Sequence, residues 1–385
     1  METIYLDNAA TTRVTQAVLQ TMIPFLTECY GNPSASYRLG RKAREAVEYA
    51  RKQFAKTVNA NPEQIFFTSG ATESNNIVIR RFGLKSHYSP FEHPSCQGEI
   101  ELDTPLSLYN NDIIKVITNR LNDGDWSWKT NLVCWQAVNS ETGYIFPVGN
   151  IAQAVHKTND MYLCDMTAAW GHIPIDLKYL DVDFATFSGH KLHAPKGVGV
   201  LYIKDPKRFK SDIIGGGQEH NLRSGTENVA SIVAMADAAM RYQFSYSADG
   251  SMCDKRKYLL HELNEVLDNF TTNIINPDWH VPNIISISIK DVEGDTLRAM
   301  LDSKGICIST GTACHSQSLE ISPILKRFYI PTDYEHGTIR ISMSRETTYE
   351  ELDIFVKELV NAVEQLRAIR KGVDVAHERN KINVD

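Results

Sequence analysis

Residues 187–202 read FSGHKLHAPKGVGVLY, and how this stretch is parsed decides the fold. It closes an apolar, β-type run, VDFATFSG (182–189), and sets Ser188, His190 and Lys191 just past the end of that run. Pro195, Lys196, Gly197 and Gly199 then lead into a second β-type run, GVGVLYI (197–203). A lysine fixed among small residues at a strand end can be desolvated and held partly neutral, which an amine needs to form a Schiff base. Most lysines are solvated surface instead, and this segment alone leaves both readings open.

Working outward, the pattern alternates. RLGRKAREAVEYARKQFAKTVNA (38–60) predicts an amphipathic helix with Ala43, Ala46, Val47, Ala50 and Phe54 on one face. The β-rich QIFFTSG (64–70) and a helix from ATESNNIVIRRFG (71–83) come next. A strand in TNLVCWQAV, a helix in NIAQAVHKTN and a strand in YLCD (162–165) lead back to the opening stretch. Strands alternating with helices imply an α/β domain whose mostly parallel sheet is covered on both faces. Beyond Tyr242 the pattern changes to strand NIISISI, helix GDTLRAMLDSKG, strand ICIS, a long loop, strand TIRISMS and a closing helix. That helix carries Leu352, Phe355, Val356, Leu359, Val360 and Val363 on one face, with Thr347 and Glu350 in capping-box spacing. The expected organisation is a 1–15 segment belonging to a small domain, a large domain over 16–242, and a small α+β domain over 243–385.

Composition excludes several classes. A hydrophobic fraction of 42%, a charged fraction of 23% and no apolar run of membrane-spanning length describe an ordinary globular chain, with no membrane partner expected. A net charge of −7 without a basic cluster gives no footprint for direct nucleic-acid binding. The opening METIYLDNAATT has neither a basic leader nor an apolar core, so a cytoplasmic location is expected. Cys29, Cys96, Cys134, Cys164, Cys253, Cys307 and Cys314 are scattered without CxxC spacing, which argues against a disulfide framework and against a metal site.

Three segments combine into chemistry. FFTSGATES runs from a strand through small residues into a helix, whose first N–H groups make an anion site; an ordinary turn capped by Ser69 or Thr72 is the plainer reading. Asp165 ends the strand in YLCDMTAAWG. A phosphate cradle, a strand-end lysine and a strand-end carboxylate are the parts that hold pyridoxal 5'-phosphate: the lysine carries its aldehyde and the carboxylate keeps the pyridine nitrogen protonated. A last stretch, ISTGTACHS (308–316), sets Cys314 among small and hydroxylated residues, open to reading as metal ligand, packing residue or nucleophile.

In that order, YLDNAATT, GNPSASYRLGRKA, FTSGATESNN, FEHPSC, VNSETG, CDMTAAWGHIPIDL, FSGHKLHAPKGVGVLY, GGGQEHNLRSGTENV, ISTGTACHSQSLE and TIRISMS span almost the whole chain. The sequence resembles the cysteine desulfurases of the nitrogen-fixation and iron–sulfur-cluster type, class-V aminotransferase-like enzymes of the pyridoxal-phosphate transferase fold type I. The resemblance implies Lys191 as the Schiff-base lysine, Asp165 on the pyridine nitrogen, and His93 stacked on the ring with a part in proton transfer. It further implies Ala71, Thr72, Ser188 and His190 at the phosphate, with Thr226 reaching the phosphate of the other subunit of a homodimer. Asn32, Ser140 and Arg340 fall on the substrate side, Arg340 binding the substrate carboxylate, and Cys314 becomes the nucleophile.

The implied reaction converts L-cysteine to L-alanine and leaves a persulfide on Cys314 for an acceptor protein. The long connection from Cys314 to Arg340 is similar to the family's long-loop group. Selenocysteine lyase or another lyase is the alternative reaction, and a desulfurase-like scaffold that binds a sulfur-pathway partner is the alternative of another class. The pattern departs at Ser140, where asparagine is usual, at Ala168, where glutamine is usual, and at Tyr37, His220 and Met343–Ser344.

Overall fold

The computed structural model describes residues 3–82, 86–102, 113–115, 131–209, 213–243, 251–311, 321–328 and 330–382. In chain order β1 (Ile4–Tyr5) precedes the helices α1 (Gln16–Thr27) and α2 (Arg38–Thr57), and β2 (Ile65–Thr68) runs into α3 (Ala71–Phe82). Then come β3 (Ser86–Tyr88), β4 (Ile100–Glu101), β5 (Leu132–Cys134), β6 (Met161–Asp165), β7 (Phe184–Ser188) and β8 (Gly199–Ile203). β9 (Phe270–Thr272), β10 (Ile284–Ile289), β11 (Ile306–Cys307), β12 (Ser309–Thr310) and β13 (Thr338–Ser342) complete the described strands. The chain divides into two compact units, Met1–Ala10 with Ser140–Tyr144 and Gly250–Asp385, and Thr11–Asn139 with Ile145–Asp249.

The larger unit holds a seven-stranded sheet in the order β2-β8-β7-β6-β5-β3-β4. β8 is antiparallel to both neighbours and every other pair is parallel, as the alternation of strands and helices predicts. β2, β5, β7 and β8 are buried along their whole length, which is why they read as continuous apolar runs. α2 buries Ala43, Val47, Ala50 and Phe54, while Ala46 is only half-buried. Phe54 seats this helix: its ring lies 5.3 Å from those of Phe187 and Trp170. Truncating such a fully buried ring to alanine costs about 3–5 kcal/mol.

The smaller unit holds a four-stranded antiparallel sheet, β12-β13-β10-β9, and a parallel pair, β1 with β11. The expected single strand ICIS is therefore two. Ile306 and Cys307 pair with β1, and Ser309 and Thr310 pair with β13, so the chain changes partner at Ile308. The described part of the expected long loop holds two helical turns. Pro323–Lys326 is a helical turn capped by Ser322, whose Oγ accepts the Ile324 N–H, and Thr332–Gly337 is a 3-10 stretch. The closing helix, Tyr349–Ile382, buries Leu352, Phe355, Leu359 and Val363 against Leu259, Leu263 and the inner face of β10 and β13. Its capping box sits one residue later than the spacing suggested: Thr348 Oγ1 accepts from Glu351 N–H and Glu351 returns a bond to Thr348 N–H. Thr347 is otherwise engaged, its hydroxyl accepting from Ser344 N–H at 3.0 Å.

Candidate active site

In the larger unit, β2 ends at Thr68 and β7 ends at Ser188, and both register with Gly199 at the start of β8. A Cβ on Gly199 would stand 2.5 Å from Gly70 Cα, so the missing side chain lets the turn before α3 press onto β8. Gly70 itself has φ 156°, and a Cβ there would reach within 3.8 Å of Ser188 Oγ. Two glycines thus bring the start of α3 beside the end of β7.

The turn is not capped by Ser69 or Thr72. Thr68 Oγ1 accepts from Gly70 N–H at 3.4 Å, and Glu73 accepts from Ser69 N–H at 2.9 Å. Burial opposes the charge on Glu73, yet bonds from Arg223 and Ser69 outweigh it and hold its pKa below the usual range. The Ser69 hydroxyl also serves Glu73, while the hydroxyls of Thr72 and Ser188 bond to no described residue. Ala71 and Thr72 open α3, so free N–H groups and free hydroxyls converge where an anion is favoured.

His190 and Lys191 occupy the 3-10 turn Gly189–Lys191 that follows β7. His190 is pinned through its carbonyl, which accepts from Thr12 N–H at 2.8 Å, and its Nδ1 pairs with Thr11 Oγ1 at 3.1 Å. Burial, helped by Lys191 and Lys196, lowers the His190 pKa to about 4. It is therefore a neutral ring. With Nδ1 accepting from Thr11, Nε2 carries the proton and can donate to an anion.

Asp165 ends β6, is 8% exposed, and collects three donors: Thr167 N–H on Oδ1 at 2.8 Å, and Asn75 Nδ2 at 3.1 Å and Cys96 Sγ at 3.7 Å on Oδ2. Asn75 is held in turn by Thr186 Oγ1 at 2.8 Å and gives a second bond to Ser95 Oγ at 3.0 Å. Ser95 Oγ pairs with His93 Nδ1 at 2.8 Å. One amide on α3 therefore fixes both the Asp165 carboxylate and, through Ser95, the His93 ring. Desolvation lowers the His93 pKa; Asp165 pulls it up and Lys191 pulls it down.

These residues fit pyridoxal phosphate. Asp165 is a buried carboxylate whose donors are all neutral, and no ion pair among the described residues reaches it. A protonated pyridine nitrogen supplies the cation that such a group needs. The cradle at α3 supplies donors for the phosphate, and Lys191 lies within electrostatic range of His93.

The smaller unit holds a second polar site. Arg340 stands on β13 between Ser286 of β10 and Ser309 of β12. Its Nη2 donates to Asp7 Oδ1 at 2.7 Å and to Ser309 Oγ at 2.8 Å, and its Nη1 donates to the Ser140 carbonyl at 3.0 Å. Its Nε is buried with no partner among the described residues. Burial raises the pKa of neighbouring Glu141, with Ser322 and Arg340 opposing. Cys314 lies outside the described residues; Ser322 N–H donates to the Gly311 carbonyl at 2.9 Å, tying the flanks of its segment together.

Ala71, Thr72, His93, Asp165, Ser188, His190 and Lys191 all belong to the larger unit, and Ser140 and Arg340 to the smaller. Thr226 is exposed, and so is Asn32, whose Oδ1 accepts from Ser34 N–H at 2.9 Å. Sequence reading gave no role to Asn75, Asp7 or the buried pair Arg51 and Glu219. The signal for Asn75 was there: an amide on the buried face of α3, in line with Ala71, Ser74 and Val78.

Comparison with known proteins gives the family of the chain. The aminotransferase class-V family description matches residues 4–355. A cysteine desulfurase 2 of Trichormus variabilis is 36% identical, covering 96% of this chain and 95% of its own. The cysteine desulfurase NifS of Azotobacter vinelandii is 35% identical over 96% of this chain and 94% of its own. Among solved structures, a NifS-like protein superposes with a TM-score of 0.82 at 33% identity, covering 94% of this chain and 100% of its own. SspA in complex with cysteine superposes with a TM-score of 0.73 at 26% identity, covering 88% and 98%.

Proposed function

From the premise that this chain belongs to the class-V aminotransferase family, as a pyridoxal-phosphate-dependent cysteine desulfurase, we propose how its own residues divide the work. When bound, the cofactor supplies an electron sink that labilises bonds at the substrate Cα and Cβ. The α3 amides with Thr72, Ser188 and neutral His190 hold its phosphate, and Lys191 anchors its aldehyde carbon. Asp165, held in place by three donors, would pair with the pyridine nitrogen. His93, with its Nδ1 turned to Ser95, would face the cofactor ring and move a proton at Nε2. The Lys191 amine would also be the base that takes the Cα proton.

Arg340 binds the substrate carboxylate with its planar fork, and its unpartnered Nε is one donor ready for it. The Cys314 thiolate attacks the substrate sulfur. The new S–S bond forms as the carbon–sulfur bond breaks, the bonding pair stays on the substrate carbon and is protonated, and the products are alanine and a persulfide. L-cysteine and a thiol in, alanine and a persulfide out, balances atoms and electrons without an external oxidant.

The observation that carries this division is the Thr186–Asn75–Asp165 chain linked through Ser95 to His93, which fixes a carboxylate and an imidazole together at the end of the parallel strands. A homodimer is the working assembly: Thr226 is exposed and free to enter a partner, and α1 presents Leu19, Ile23 and Leu26 as exposed apolar side chains. The free thiols Cys96, Cys134 and Cys164 suit the reducing cytoplasm, where an acceptor protein takes the sulfur. No helix among the described residues is long and apolar enough to cross a membrane.

The test is cofactor-loaded protein given L-cysteine without reductant, with alanine quantified and persulfide mapped by mass. A single persulfide on Cys314, absent from Cys314→Ser while cofactor content holds, is expected. Persulfide on Cys96 or Cys307 in the unaltered protein would move the nucleophile elsewhere.

A further inference from the structure

The larger unit buries a second acid beside Asp165. Glu92 is 2% exposed. Its Oε1 accepts from Gln136 N–H at 2.6 Å, and its Oε2 is buried with no hydrogen-bond partner among the described residues. The backbone around it is fixed. Glu92 N–H donates to the Ser89 carbonyl at 3.1 Å, and the Phe91 carbonyl accepts from Gln136 Nε2 and from Asn139 Nδ2.

The titratable groups that share its environment come from every packed element: Asp165, Cys164 and Tyr162 on β6, Cys134 on β5, and Cys96 in the turn after His93. None of these is a cation. An ionised Glu92 would lie without counter-charge beside a second carboxylate, and a buried acid so placed holds its proton instead.

Which of the two acids keeps the proton follows from their surroundings. Asp165 receives Asn75, Thr167 and Cys96 at hydrogen-bond distance, whereas Glu92 receives the Gln136 N–H, with the Ser89 hydroxyl and Cys96 thiol acting in the same direction, and its Oε2 stays unpaired. A fully buried carboxyl with one oxygen unpaired and a second carboxylate beside it disfavours its charged form, so the proton stays on Glu92. Burial pushes the Glu92 pKa up to about 8, with the Asp165 charge adding and the Gln136 N–H opposing.

We propose that Glu92 is a positioning residue of the cofactor site, carried as the neutral acid so that Asp165 alone holds the negative charge offered to the pyridine nitrogen. The proposal rests on the reading that Asp165 faces that nitrogen. Glu92 acts through Asp165: ionising it adds a second negative charge behind the first and changes how strongly the ring nitrogen holds its proton.

Infrared difference spectra of the cofactor-free chain test the proton directly. A protonated-carboxyl C=O band is expected at about pH 6, fading through about pH 8 and missing from Glu92→Gln. In Asp165→Asn the midpoint of that band should fall by about one pH unit or more, because the neighbouring anion is gone; this separates Glu92 from Glu141 and Glu227, whose pKa values burial also raises. It also keeps the test alive if Glu92→Gln folds poorly.

In the loaded enzyme, the unaltered protein is expected to change its visible spectrum through about pH 8, and Glu92→Gln should retain cofactor and the parent spectrum at about pH 6 and lose that change. A band that survives Glu92→Gln, or a variant that binds cofactor about tenfold more weakly at pH 6, would overturn the proposal, since glutamine reproduces the neutral acid and not the anion. A chain that takes up no cofactor at all would instead sink the Lys191 and Asp165 assignments and leave the infrared result standing.

Discussion

Replacing Arg340 with alanine separates substrate binding from cofactor binding. The guanidinium is 13% exposed and gives three bonds, to Asp7, Ser309 and the Ser140 carbonyl, while Nε remains unpaired. Truncating one partner of a desolvated charged pair costs about 2–5 kcal/mol, or roughly thirty-fold to several-thousand-fold in affinity. The lower end applies here. Asp7 already neutralises part of the charge from 2.7 Å, and the two bonds to Asp7 and Ser309 occupy both N–H groups of Nη2, so an incoming carboxylate competes with them. The expected outcome is a KM for L-cysteine raised about thirty- to one-hundred-fold, read from alanine release, with cofactor content unchanged. Arg340→Lys keeps the charge without the fork and should fall between the two. A KM within about threefold of the parent would refute the assignment of Arg340, because no ground-state loss smaller than about 0.7 kcal/mol fits a severed charge-assisted bond.

Four further outcomes are expected. Lys191→Ala should lose the borohydride-reducible cofactor adduct, and an adduct found on Lys196 by peptide mapping would transfer the role there. Glu219→Ala should lower the urea-derived unfolding free energy by about 3–5 kcal/mol, since it strands buried Arg51, whose two bonds to Glu219 are 2.8 Å each, and the Phe67 N–H; a loss under about 1 kcal/mol would contradict a buried pair. His280 is 3% exposed and burial lowers its pKa to about 4 from 6.5, so it contributes stability above pH 6.5 that is lost as pH falls toward 4, up to roughly 3 kcal/mol, and His280→Asn should flatten that part of the stability profile. Ala168→Gln should raise the alanine-release rate about two- to tenfold by restoring a donor worth about 0.5–1.5 kcal/mol to the cofactor's ring oxygen, and an unchanged rate would mean that the oxygen is already satisfied.

What could be read from the sequence was what depends on neighbours along the chain. Lys191 stands just past a strand, Asp165 ends one, and Thr72 opens a helix, so each announces itself by the change of period around it. The alternation of strands and helices likewise fixes a mostly parallel sheet, and β8 turns out to be its antiparallel member. Local ambiguity defeated the finer readings: consecutive threonines shifted the last helix cap to Thr348, and ICIS conceals a change of sheet at Ile308. Pairings between residues far apart left no trace. Arg51 meets Glu219 across 168 positions and Arg340 meets Asp7 across 333, and no period or spacing links such partners.

The same distinction explains why two acids in one buried region have opposite characters. As sequence, Glu92 and Asp165 are each a carboxylate beside a cysteine-bearing segment, with nothing to rank them. The difference comes from the fold, which places Asp165 at a strand end where a helix amide, a following N–H and a thiol converge, and leaves Glu92 wholly buried with Oε2 unpaired. A carboxyl oxygen buried without a partner beside another carboxylate disfavours the charged form, which raises the pKa of Glu92. Asn75, on the buried face of α3, thus fixes the Asp165 carboxylate and, through Ser95, the His93 ring.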